Sequence, residues 1–562
     1  MAGLGDPHVV KRQTILAGAG IMMVASLLSR LLGWVRDRAI GHFWGSGPHT
    51  DAYWAAFLVP DLLYYLLAGG ALSAAIIPVF TTYLHRNEEA ESWRVTNTLV
   101  TLLGLLAFAG IALIVLFAPG LVTVVAAGFR KDVGQVTECA SYVRLLAPMV
   151  FFTVISALFT GILQARRHFT APAFAWLVYN FGIIGGAFVG GTVFAAQGDA
   201  AGLRIVCQGV LVGAALLVVV QLPAMWLSGF RYRPTLDLRH PGVREVLRLF
   251  LPNMAGLAFT QLCLLWLPSF FGSFFARGAI TSLRYANRLV VLPLGLFGIA
   301  ISTATFPVMA ERIAAGEVEG FKKLFSGSLR AVFFLAVPSA ALLVVLAGPI
   351  LRLLWRSGRF DETAVSAATF CLVFYAFALI GLSGLQIVNR AFYSLKDTVT
   401  PPVIGVAYTV LIVALTLGLK STGLQYAAVA AATSVGATVG MILMFEILRR
   451  RLGGVQGGEI ARSFVRVALA SLALAAVAFY VSSLLGQALG VPVTHFAATA
   501  PLVSGTAGAQ AAAPTAKVAL QVLVSMAAGL AAYLLVLRLV GAPEIESFRK
   551  VWRQRRARPA EG

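Results

Sequence analysis

Negative charge is what this chain of 562 residues has least of: 23 Asp and Glu stand against 44 Lys and Arg, and all charged residues together make up 12% of the sequence. With 59% hydrophobic residues, so thin a charge excludes a soluble globular protein and a disordered one alike. Cysteine is equally sparse. Cys139, Cys207, Cys263 and Cys371 each fall in or beside an apolar segment without CxxC spacing, which excludes a disulfide framework or thiolate metal site and leaves small core residues. Enzyme signatures are missing too. There is no GxxxxGK[ST] loop for nucleotide phosphates and no HExxH helix for zinc, and the seven His residues lie near segment ends without forming a ligand set. A transferase using a metal-bound sugar nucleotide needs clustered carboxylates, and Glu88, Glu89 and Glu91 read instead as a solvated turn. The expectation is a protein with no cofactor, no metal and no covalent chemistry.

What is there in quantity is membrane-length apolar sequence. A window of about 20 residues places about fourteen spans, centred near residues 26, 67, 107, 152, 182, 214, 260, 296, 338, 377, 410, 435, 473 and 528. No segment has the short apolar core and cleavage site of a signal peptide, so the first span is expected to stay. The net charge of +21 would suggest nucleic acid in a soluble protein, but its distribution argues otherwise. Basic residues recur in alternate connections: Lys11 and Arg12, Arg86 and Arg94, Arg166 and Arg167, Arg231 to Arg248, Lys322 and Lys323, Arg390 and Lys396, Arg449 to Arg451, and Arg549 to Arg558. The positive-inside rule then puts both termini and the even-numbered loops in the cytoplasm. Arg352, Arg356 and Arg359 after the ninth span are the main exception.

Three landmarks recur at an offset of about 229 residues. Ser73 to Val79 (SAAIIPV) matches Ser302 to Val308 (STATFPV), Pro119 in APG matches Pro349 in GPI, and Pro172 matches Pro401. The fold class expected is therefore an all-α polytopic membrane protein: two six-helix lobes related by a parallel repeat, over 10–228 and 249–452, joined by a basic cytoplasmic linker at 229–248. Two further helices lie in 453–541, separated by an Ala/Gly/Pro-containing extracytoplasmic loop, and a basic tail follows at 542–562. Within the linker, Val243 to Phe250 has apolar residues at helical spacing with arginines between them. It reads as the start of the seventh span, with a lipid-facing surface helix as the alternative.

Charges inside the spans mark the candidate site, because each Arg or Asp at bilayer depth costs about 2.5 to 3.5 kcal/mol and faces a polar interior. On helix 1, Ser26, Arg30, Gly33 and Asp37 share one stripe, with Arg36 about a third of a turn away. On helix 8, Arg284, Asn287 and Arg288 share a face. Guanidinium suits phosphate, because its planar fork binds two oxygens and its charge does not titrate away. The structural alternative pairs Arg30 or Arg36 with Asp37 or Asp51 to fix helix packing. Asp51 and Asp61, after Gly47-Pro48 and Pro60, also suit helix starts.

SRLLGWVRD from Ser29, GSGPHTDAYWAAFLVPDLL from Gly45, AGGALSAAIIPVF from Ala68 and YANRLVVLPLG from Tyr285 resemble the MurJ (MviN) family of bacterial lipid II flippases, within the superfamily of multidrug and polysaccharide exporters. The resemblance covers nearly the whole chain. It implies two lobes alternating between the two sides of the plasma membrane, a cationic cavity for the pyrophosphate and sugar head of lipid II, and a groove on the two last helices for the prenyl tail. It carries substrate roles to Arg30, Arg36 and Arg288, beside which Ser29 and Arg284 are expected, and coupling roles to Asp37 and Asp51, with Asn287 alongside. Tyr64 and Tyr65 stand where the family often has arginine, Gly69 where an acidic residue often follows, and Val291 where one is frequent on helix 8. Arg284 would restore the missing charge. The implied partners are lipid II, membrane lipids and other cell-wall synthesis proteins, with no nucleic acid. Coupling to membrane potential or a monovalent cation stays open, with Asp397 a weak candidate, as does transport of another polyprenyl-linked glycan or a small molecule.

Overall fold

The computed structural model describes residues 7–69, 71–491 and 514–541. The tail 542–562, most of the loop before the last span, and the side chains of Lys11, Arg12 and Cys263 lie outside the described residues. Among those described the chain is all-helical, with no β structure beyond one isolated bridge from Ser357 to Phe360. This is the economical solution in lipid, where each backbone N–H and C=O must find its partner within its own segment.

Residues up to Ile280 together with 357–360 form one compact unit, and Thr281–Arg356 with the residues from Asp361 onward form a second. The first unit contains α1 (Pro7–Trp44), α2 (Pro48–Ala56), α3 (Leu58–Leu67), α4 (Ala71–His85), α5 (Glu89–Val125), α6 (Val133–Leu146), α7 (Met149–Ala165), α8 (Thr170–Thr192), α9 (Asp199–Leu227) and α10 (Pro241–Gly272). The second contains nearly all of α11 (Ala279–Pro293), then α12 (Ala300–Ala314), α13 (Val318–Val345), α14 (Ala347–Trp355), α15 (Glu362–Ser394), α16 (Thr400–Leu419), α17 (Ala427–Arg451), α18 (Gly457–Leu489) and α19 (Thr515–Leu539). A π-helical stretch, Leu294–Ile299, joins α11 to α12.

Among the described residues eleven helical segments are long and apolar enough to cross a bilayer, so this measure does not confirm the fourteen spans expected. The segments not counted are α1, with Arg30, Arg36, Asp37 and Arg38 in its second half, α2 to α4, broken into three short helices, and α10, many of whose side chains lie outside the described residues.

The repeat is visible in the helix starts. Glu89, Thr170 and Asp199 open α5, α8 and α9, and Val318, Thr400 and Ala427 open α13, α16 and α17 about 229 residues later. Backbone details repeat as well. Asn87 and Gly316 both have positive φ, 57° and 73°, in the turns before α5 and α13, and Arg167 and Lys396 have 62° and 60° before α8 and α16. Asp132 caps α6 by accepting from Gln135 N at 3.2 Å, as Asp361 caps α15 by accepting from Ala364 N at 2.9 Å.

In the first unit the core gathers Leu72, Ile76, Leu99, Val154, Leu158 and Phe159. Val243, Val246 and Phe250 at the start of α10 are buried in the same cluster, so that face meets protein. Helices α8 and α9 meet through glycines: a Cβ on Gly182 would fall on the backbone of Gly213, a close approach only small residues allow. In the second unit α18 and α19 join the main core through Val467, Leu474, Tyr533 and Leu537.

Candidate functional site

The polar residues of α1 divide into an anchored group and an open one. Asp37 is 5% exposed, and the Arg36 guanidinium reaches back to it, with Nε at 2.8 Å and Nη2 at 2.7 Å from Oδ1. Although the two backbone positions point apart by about 100°, the long arginine chain spans the gap. Asn180 on α8 completes the group: its Oδ1 lies 3.4 Å from Arg36 Nη1, and its Nδ2 donates to Ser29 Oγ at 3.3 Å and to Trp176 O at 2.9 Å. The structural pairing anticipated for α1 is thus made by Arg36, and Ser29 is drawn into it. Asn180 was not singled out in the sequence. Its signal is that of one amide in an apolar, glycine-rich span.

Arg30, two turns before Asp37, is exposed and makes no hydrogen bond or ion pair among the described residues. Among the described residues of α1 it is thus a cation that the fold leaves available to a ligand.

Asp51 lies in the first turn of α2 and is 3% exposed. Its carboxylate accepts the backbone N–H of Gly278 at 2.6 Å, and Ser46 Oγ donates to the Gly278 carbonyl at 3.1 Å. Beside it, His49 Nδ1 sits 2.8 Å from Glu138 Oε1 on α6, which also accepts from Tyr142 Oη at 2.5 Å. Asp61 occupies the first turn of α3, as its position after Pro60 suggests.

In the second unit, Arg284 and Asn287 are half-buried and Arg288 is exposed on one side of α11. Next to Arg284 on the helix, Tyr285 is buried edge-on against Trp355 with ring centroids 5.2 Å apart. Tyr64 and Tyr65 on α3 pack against each other at 5.4 Å and present two phenols where related sequences often carry a guanidinium.

Asp397 is fully engaged. Its oxygens accept from Val399 N at 3.0 Å, Thr400 N at 2.9 Å and Thr400 Oγ1 at 2.7 Å, and it pairs with Arg451. Desolvation opposes its charge, but the bonds from Thr400, Arg451 and Val399 prevail and hold its pKa at about 2. The chemistry of that donor set is a helix cap. The exceptional arginines after the ninth span are also accounted for: Arg352 and Arg356 share Glu362 at 2.8 Å, and Arg359 binds Asp199 through both terminal nitrogens at 2.5 and 2.9 Å.

Comparison with known proteins agrees with this architecture. The family model described as "Lipid II flippase MurJ" matches residues 40–500. A Burkholderia cenocepacia protein of the same name is 29% identical over 459 residues, covering 80% of this chain and 87% of that protein. A Rhizobium meliloti protein named as a probable lipid II flippase MurJ is 30% identical over 436 residues, covering 75% and 78%. A solved structure of lipid II flippase MurJ in an inward closed conformation superposes with a TM-score of 0.72 at 20% identity, over 92% of this chain and 99% of that one. An inward-facing multidrug transporter of the MATE family and MOP superfamily superposes with a TM-score of 0.63 at 15% identity, over 77% and 98%.

Proposed function

The chain belongs to the MurJ family of lipid II flippases, and we propose from that membership that it carries the undecaprenyl-pyrophosphate-linked peptidoglycan precursor across the bacterial plasma membrane, from the inner to the outer leaflet. The observation that carries the reading to particular residues is the division on α1: Arg36 is held by Asp37 and Asn180, while Arg30 stays exposed with no partner among the described residues. A guanidinium exposed at bilayer depth is costly unless an anion offsets it, and a diphosphate is the anion this substrate class brings.

Arg30 on α1 and Arg288 on α11, with Arg284 a turn away, are assigned to the phosphates, and Arg36 and Ser29 to positioning beside them. Asp37, Asp51 and Asn287 are assigned to coupling ligand occupancy to rearrangement. No bond is made or broken in the cargo: differential affinity of the diphosphate for alternative arrangements shifts their populations. Both termini are placed in the cytoplasm on the strength of the alternating basic loops. Membrane potential is worth about 2.3 kcal/mol per charge per 100 mV and is a sufficient energy source for a charged cargo. Asp397, already a filled cap, is not assigned to a cation.

The test is complementation of a flippase-depleted bacterium with lipid II accumulation as the readout. Rescue by the wild-type chain, lost in Arg30→Ala and Arg288→Ala at wild-type protein levels, supports the assignment. Full rescue by both variants overturns the phosphate site, and failure of the wild-type chain itself overturns the substrate.

A further inference from the structure

The segment from Trp226 to Arg239 leaves one side fully used and the other open. After α9 the chain runs extended along α5. Asn97 brackets it as a neighbouring strand would, its Nδ2 donating to Arg231 O at 3.2 Å and its Oδ1 accepting from Arg233 N at 3.2 Å. Phe230 is buried with its ring 5.7 Å from Trp93 and 5.6 Å from Phe159. Tyr232 Oη lies 3.2 Å from Thr101 Oγ1, and Asp237 pairs with Arg94 at 3.0 Å. The strap ends on His240, whose Nε2 meets Glu91 at 2.8 Å and whose Nδ1 accepts from Gly242 N at 3.1 Å, capping α10. So many bonds to one helix hold the strap in a single extended conformation.

The outward side alternates cations with large apolar groups. Arg231, Tyr232, Arg233, Leu236, Leu238 and Arg239 are all exposed, and at the end of α9 Trp226 is 56% and Leu227 91% exposed. Asp237, the one acid of the strap, is already engaged by Arg94, while the side chains of Arg233 and Arg239 make no bond or ion pair among the described residues. Isolated leucines on a surface need no explanation, but leucine, tryptophan and arginine interleaved at the end of a membrane helix do.

We propose that this strap is a binding surface for anionic phospholipid in the leaflet where α9 ends, with Arg233 and Arg239 on headgroup phosphates and Trp226, Leu227, Leu236 and Leu238 at the acyl boundary. The apolar groups decide for a membrane over a free phosphate or an acidic protein, because they gain only from leaving water. Because the strap runs directly into the His240 cap, lipid held there steadies the start of α10. The assignment of this leaflet to the cytoplasm rests on the topology proposed above, whereas the lipid preference does not.

The full chain bearing Leu236→Cys, labelled with a bimane fluorophore, is placed in nanodiscs containing brominated phosphatidylglycerol or brominated phosphatidylcholine at equal fractions. Brominated phosphatidylglycerol is expected to quench more strongly, and the preference to weaken with salt. At about 1 kcal/mol per basic residue near an anionic surface, each of Arg233→Gln and Arg239→Gln removes about fivefold of preference, while Arg233→Lys and Arg239→Lys retain it. Equal quenching by both lipids in the wild-type background, or none by either, overturns the proposal. Labelling of the same cysteine by an impermeant reagent in intact cells tests the topology separately, since a nanodisc offers both leaflets.

Discussion

Asp51 Oδ2 accepts the backbone N–H of Gly278 at 2.6 Å across 227 residues of sequence, and Ser46 grips the carbonyl of the same glycine. Gly278 has φ +90°, and a Cβ there would lie 2.7 Å from Ser46 Oγ, so both the backbone conformation and the space require glycine. Gly278→Ala is expected to cost about 1 to 3 kcal/mol of stability, the usual scale for a strained backbone. Asp51→Leu is expected to be as harmful because it leaves a buried N–H without its acceptor, and Asp51→Asn milder because an oxygen remains. Thermal unfolding in detergent orders the three, and a Gly278→Ala protein melting with the wild type would show that the clasp holds nothing.

Arg30 and Arg36 of α1 are expected to fail in different ways. Arg30 has no partner among the described residues, so Arg30→Ala should leave thermal stability within about 0.5 kcal/mol of wild type while abolishing complementation. Arg36→Ala removes a charged partner of the buried Asp37 carboxylate, a change expected to cost about 1.5 to 3 kcal/mol. Adding Asp37→Asn should return most of the stability without returning transport. A double mutant that restores growth would reduce Arg36 to a packing residue.

Asp397 offers a check on pH. Its folded-state pKa of about 2 lies below the ordinary 3.8, so its cap and its pair with Arg451 contribute fully above about pH 4 and are lost as pH falls towards 2. Asp397→Asn should lower the melting temperature at neutral pH by a few degrees and leave any cation dependence of transport unchanged. A sodium dependence that disappears with this substitution would return Asp397 to the coupling machinery.

Much of this was legible in the sequence because bilayer physics writes long words. Apolar runs, alternating basic loops and the 229-residue offset reported the helical class and the duplication, and the structure extends that offset to the positive-φ turns at Asn87 and Gly316. The count of spans was less legible, since α2 to α4 form three short helices where hydropathy shows one run. The stripe of Arg30, Gly33 and Asp37 followed from helical spacing. The partners of Arg36 and Asp51 did not, because Asn180 and Gly278 lie 144 and 227 residues away, and periodicity does not reach across such distances.

The same limit applies to prolines, whose consequences lie on other helices. Pro338 in α13 has no N–H to offer the carbonyl of Phe334, four residues earlier, and in lipid that carbonyl has no water to turn to. Tyr533 on α19 supplies the donor, its Oη 2.8 Å from Phe334 O, much as Arg144 Nε reaches the Val115 carbonyl freed by Pro119. The hydroxyl therefore fastens one of the two last helices to a backbone defect. Tyr533→Phe should cost about 1 kcal/mol, the net contribution of the hydrogen bond it removes. Pro338→Ala in the same chain restores an N–H at position 338, which takes up the Phe334 carbonyl within α13, so the double mutant should lose less than Tyr533→Phe alone. A double-mutant cycle by thermal or denaturant unfolding measures the coupling, expected at about 1 kcal/mol or more. Strict additivity would show that Tyr533 contributes through its ring alone, which packs 5.7 Å from that of Phe334.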